Sequence, residues 1–154
     1  MAQQSSYLTS LRILFLAFLM SQVSFGVFLI AFHQMGLSEV SAPELRGAFQ
    51  IVVPLFAVIA LFGSQYIFNQ KLRNIHKESA LEQKLAAYRM AFLIKIALLE
   101  GASLLSLVVY FLTAYWLFLV IAGVLGGVFI LYYPSVERIG QHLELLPAEK
   151  EQIT

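Results

Sequence analysis

Residues 89–113 read RMAFLIKIALLEGASLLSLVVYFLT, and this stretch decides the fold class. A transmembrane helix needs about 20 mainly apolar residues to cross a hydrocarbon core ~30 Å thick. The stretch exceeds that length, with Arg89 at its start and only Lys95 and Glu100 charged inside it. Working outward, the span itself is placed at residues 88–112. Residues 13–32, 49–68 and 114–133 form three more apolar runs with no formal charge. None alternates with period two, so a membrane β-barrel is not expected. The reading is all-α: a bundle of four transmembrane helices over residues 1–133, followed by an amphipathic tail over residues 134–154.

Composition agrees. Of 154 residues, 60% are hydrophobic and 12% charged, against roughly 25% charged in a soluble domain. Mean hydropathy is +0.80. These values argue against a soluble enzyme and against a nucleic-acid binder with a basic face. A net charge of +1 creates no field that selects an acidic or basic partner. With no cysteine, thiolate chemistry and Cys-ligated metals are excluded, and all nine acidic residues are glutamate. The first apolar run continues from Ser21 and Gln22 to Phe32, too long for a signal-peptide core, so a retained helix is expected.

Lys and Arg beside the spans set orientation. Arg12, Lys71, Arg73, Lys77, Lys84, Arg89, Arg138 and Lys150 fall on one side and Arg46 on the other. Both termini are therefore expected in the cytoplasm of a bacterial cell, with the bundle in its inner membrane. Tyr66, Tyr88, Tyr132 and Tyr133 mark the inner interface, and Tyr110, Tyr115 and Trp116 the outer one.

Punctuation between the spans is readable. Ser41 and Glu44 form a capping box with Pro43 in the first turn, so the second helix should start near Ala42. Pro54 inside that helix is expected to kink it. Ser79 and Glu82 form a second box, starting the third helix near Ala80 after a break between Asn74 and Ser79. The turn around Thr113 is very short, so helices three and four must be antiparallel neighbours. Pro134 ends the fourth helix, and Ser135 can cap a short one in which Val136, Ile139, Leu143 and Leu146 recur at helical spacing as far as Pro147. That segment suits either the inner membrane surface or the protein's own cytoplasmic extensions.

Charges inside a membrane are costly, at least ~2.5–3.5 kcal/mol each, so they mark candidate sites. Lys95 lies seven residues past Tyr88, shallow enough to snorkel to the inner headgroups. Glu100 lies at the midplane, twelve residues from both Tyr88 and Leu112. Gln22 on the first helix is at nearly the same depth, with Ser21 and Ser24 close by. Two roles remain open for Glu100: a neutral acid that hydrogen-bonds Gln22 and fixes packing, or a carrier of H⁺ or a metal cation. Gly123 and Gly127 form a small-xxx-small face, expected to pack the fourth helix within the chain. His33, His76 and His142 lie on different segments, so no three-His metal site and no cofactor is expected.

The core Ala97-Leu-Leu-Glu100-Gly101, in its apolar run, resembles the carboxylate-bearing helix of the ATP synthase proteolipid, the c subunit. That resemblance implies ion binding by Glu100. The rest departs from it: Lys71-Leu-Arg-Asn74 stands where an Arg-Gln-Pro loop is expected. The whole chain resembles small four-helix proteins of bacterial inner membranes, a likeness that implies no activity. The expected function is thus a non-enzymatic membrane subunit in contact with lipid, working through helix packing in a homo-oligomer or with other membrane subunits. Ion translocation through Glu100, aided by Gln22, Lys95 and Ser24, is the alternative.

Overall fold

The computed structural model describes residues 2–36, 43–75 and 80–145. Five α-helices follow one another: α1 (Ala2–Gln34), α2 (Arg46–Arg73), α3 (Leu81–Thr113), α4 (Trp116–Leu131) and α5 (Val136–His142), with a 3₁₀ turn at Pro43–Leu45 before α2. No strand occurs among the described residues. Three of the helices, α1, α2 and α3, are long and apolar enough to cross a membrane, and α4 makes a fourth only when taken with α5. At 16 residues, α4 alone is about 24 Å long, short of the expected span at 114–133. The chain then turns through 81° into α5, which therefore crosses the end of the bundle instead of extending α4.

Contacts fix the topology. Tyr7 donates to the Leu85 carbonyl and Phe32 packs on Phe111, so α1 and α3 run parallel. Phe68 meets Tyr88 while Val53 clusters with Val109, so α2 runs against α3. Phe15 stacks on Phe129 at 4.8 Å while Gln22 reaches the Ala122 carbonyl, so α4 runs against α1. The result is an up-down-up-down bundle. Its central helix is α3: Tyr88, Phe92, Lys95, Leu99, Ala102, Ser106, Val109 and Thr113 are all buried at alternating spacings of four and three, the seam that keeps one helix face against its neighbours.

The outside of the bundle is as apolar as the inside. Ile13, Met20 and Val27 on α1 and Ile51, Leu55 and Phe62 on α2 all stand exposed. A soluble protein rarely leaves such continuous apolar surface open to water. These faces suit lipid, and packing, not burial from water, must then hold the helices together.

Local punctuation differs in places from the sequence reading. The helical run does begin at Pro43, but as a 3₁₀ turn, and α2 proper starts at Arg46 with Leu45 as an N-cap that makes no side-chain bond. Ser41 and Ser79, the expected caps, lie outside the described residues, and Ala80 precedes α3 without a side-chain cap. Helix α2 continues through Pro54 unbroken. Ser135 caps α5 as expected, accepting from the Arg138 amide at 3.3 Å. Arg138 in turn donates through Nη1 to the Leu131 carbonyl, satisfying an orphan acceptor at the C-terminus of α4. Leu146 and Pro147 lie outside the described residues.

Candidate functional site

Polar side chains inside this bundle fall into two groups, one midway along it and one at the end where the chain begins. Most buried hydroxyls satisfy themselves within their own helix. Ser106 donates to the Ala102 carbonyl at 2.9 Å, Thr113 to that of Val109 at 2.7 Å, and Ser64 to that of Leu61 at 3.1 Å. Such back-bonding hides polarity and leaves nothing to offer a ligand.

The mid-bundle group is different because it joins three helices. Gln22 of α1 donates through Nε2 to the Ser103 hydroxyl of α3 and, at 3.5 Å, to the Ala122 carbonyl of α4. Ser103 also donates to the Ala122 carbonyl, at 3.3 Å. Gly126 of α4 makes this possible: a Cβ there would lie 3.1 Å from Gln22 Nε2, too close for comfort. Two buried acceptors remain without a partner, Gln22 Oε1 and Glu100 Oε2. An unsatisfied buried polar atom carries a desolvation cost of roughly 1–3 kcal/mol, so each calls for an explanation.

This group differs from the expected one in four respects. Gln22 meets Ser103 and not Glu100, one helical turn away on the same face of α3. Ser24 stands on the exposed face of α1, outside the network. Lys95 is 5% exposed, turned onto aromatic rings of its own chain. Its Nζ sits 3.4 Å from the Tyr132 ring centroid and 4.7 Å from that of Phe68, where π faces stabilise the cation. Gly123 and Gly127 are exposed, and a Cβ on either would meet nothing within 4 Å. Packing within the chain falls to Gly126 between them, so the small-xxx-small pair is left facing outward. Glu100 is buried, at 5% exposure.

The second group gathers beneath α5. Ile139 is fully buried, Leu143 and Leu145 join the main core, and the His142 ring packs edge-on against Phe68 at 5.3 Å. Of the two surfaces open to this segment, the described residues place it on the protein itself. No spacing rule pairs residue 142 with residue 68, so the sequence could not show this contact. Burial, then the Lys95 ammonium, then Arg138, hold the His142 imidazole below its usual 6.5. When α5 is released, that histidine recovers an ordinary affinity for protons. Above pH 6.5 both states are neutral and docking is unaffected; as pH falls through 6.5 the released state binds the extra proton and docking weakens. Hydrogen exchange across residues 136–145, corrected for intrinsic rates, should therefore be faster at pH 5.5 than at pH 7.5. In His142→Phe, that difference should vanish.

Among the described residues no cluster of His and acidic side chains could hold a metal ion. Between α1 and α4, a groove of about 450 Å³ opens sideways from the bundle, with Gln22, Gly26, Ala122, Gly123 and Gly127 in its walls. Comparison with known proteins finds no match: no family, no curated protein and no solved structure is similar to this chain.

Proposed function

We propose that this chain is a non-enzymatic, multi-pass subunit of a bacterial inner-membrane assembly, with both termini in the cytoplasm, acting through helix packing with itself or with other membrane proteins. The observation that supports this reading most is the outward pair Gly123 and Gly127 beside an open groove. Glycines on a helix surface let another backbone approach closely, which is how helices associate where lipid is as apolar as any side chain. Among the described residues nothing lies within 4 Å of a Cβ at either glycine.

A second reading rests on one atom. Glu100 Oε2 is buried without a hydrogen-bond partner, and Lys95 is held on aromatic rings away from it. An unpaired carboxyl inside a membrane bundle is the kind of group that marks an ion or proton pathway. Glu100→Gln separates the two readings. A packing role predicts that Glu100→Gln assembles and supports cell function like the parent. An ion-carrying role predicts normal assembly with flux lost in proteoliposomes, and labelling of the parent by a hydrophobic carbodiimide that Glu100→Gln abolishes.

A further inference from the structure

Three cations from three different helices converge on the last turn of α4. Lys95 of α3 sets its Nζ 3.4 Å from the Tyr132 ring centroid. Arg12 of α1 holds its guanidinium carbon 5.6 Å from the Tyr133 ring centroid. Arg138 of α5 donates through Nη1 to the Leu131 carbonyl. The three contacts thus fall on consecutive residues. Among the described residues, none of these cations makes an ion pair with a carboxylate, and Glu137, the neighbour of Arg138, makes none either. A helix C-terminus supplies about half a negative charge, well short of three positive ones.

Two of the three cations are open to a ligand. Arg138 is exposed and spends one N–H on Leu131, which leaves the rest of its guanidinium fork. Arg12 is half-buried, and since its Nε is enclosed, what it offers is its terminal amines. Lys95, at 5% exposure, adds charge but no contact. Guanidinium groups match phosphate oxygens with paired N–H bonds. One turn deeper the surface is apolar. Leu16, four residues past Arg12, is 48% exposed, and Ile130, three residues before Tyr133, is 55% exposed. Those spacings keep each on the same helix face as its polar neighbour. A cationic mouth therefore stands directly over an apolar slope, at the level where the apolar run of α1 begins.

We propose that Arg12 and Arg138 hold the phosphate of an anionic phospholipid at the end of α4, with one acyl chain lying over Leu16 and Ile130. Basic pockets between membrane helices take anionic headgroups in this way. The surplus positive charge selects the headgroup: a zwitterionic lipid brings an amine that these cations repel, whereas phosphatidylglycerol brings none. The site needs only a bundle set in a membrane, so it stands whether the chain works by packing or by carrying ions. A phosphate bound there joins α1 to α5 across the end of α4, and so favours the docked position of α5.

Native mass spectrometry of the full-length protein in mild detergent tests this, with dioleoyl phosphatidylglycerol, dioleoyl phosphatidylcholine and inorganic phosphate as separate probes. Phosphatidylglycerol is expected to bind at least about tenfold more tightly than phosphatidylcholine. Arg12→Gln and Arg138→Gln should each weaken it about tenfold, the loss of one charge-assisted contact. Arg73→Gln, which removes a charge from the same end of the bundle on α2, should leave it unchanged. Should hydrogen exchange across residues 136–145 show that Arg138→Gln has freed α5, Arg12→Gln decides, because Arg12 makes no contact with α5. Equal binding of the two lipids, or an equal loss in Arg73→Gln, would reduce the site to diffuse surface charge and overturn the proposal. Inorganic phosphate that binds as tightly as phosphatidylglycerol would make it a site for a soluble anion and overturn the lipid assignment.

Discussion

Gly126→Leu is expected to destabilise the isolated bundle by about 1–3 kcal/mol, the usual cost of forcing extra methylenes into a filled contact. Even a methyl at this position would lie 3.1 Å from Gln22 Nε2. A leucine must displace the Gln22 side chain, and with it the bonds from Gln22 to Ser103 and Ala122. The Phe15–Phe129 stack, one turn farther along α4, loosens as well. The measurement is reversible unfolding in mild detergent, compared with Gly123→Leu and Gly127→Leu. Those two point into open space and should unfold like the parent. Equal loss in all three would show that α4 packs on a different face from the one described here.

Ile139→Ala carries the second large effect. Ile139 is fully buried beneath α5, among Leu85, Tyr88 and Phe68 of the main core. Truncating a buried isoleucine to alanine costs roughly 2–5 kcal/mol where the site cannot collapse. A helix of 7 residues has almost no stability of its own, since isolated helices below about 12–15 residues are marginal in water. The expected outcome is release of α5 while α1 to α4 stay folded. Amides of residues 136–145 should lose protection, and a cysteine placed at Lys95 should become reactive to a water-soluble maleimide. Protection unchanged in Ile139→Ala would mean that α5 is held by something other than this contact.

The α5 result also bears on Lys95. Its ammonium sits over Tyr132, at the end of α4, and Phe68, the ring on which His142 of α5 packs. Arg138, which donates to the Leu131 carbonyl, ties that bend to the end of α4. Charge, aromatic faces and the bend therefore form one unit, and the acid sensitivity expected of His142 is a property of that unit.

What the sequence could and could not show follows from the physics of apolar helices. Long apolar runs are counted easily, so the helices at 13–32, 49–68 and 88–112 were legible, as was the break after Asn74. Pro134 and Ser135 announced α5 for a local reason, an N-cap bond within four residues. Which face of each helix turns inward was not legible, because a helix apolar all round carries no amphipathic signal. Hence Gln22 could be assigned to the right level yet to a partner one turn away, Glu100 instead of Ser103. The glycines show the same limit. Three of them lie within five residues of α4, and only the position of Gln22 across the contact makes Gly126 the one that packs inward. Lys95 needed knowledge of tertiary return: its rings come from residues 68 and 132, far along the chain.

If this chain works by packing against other membrane helices, native mass spectrometry of the protein extracted gently from its own membrane will find a defined assembly. Several copies of the chain, alone or with stoichiometric membrane partners, should persist together across mild detergents. A lone monomer in every one of them, with proteoliposome flux that depends on Glu100, would contradict it.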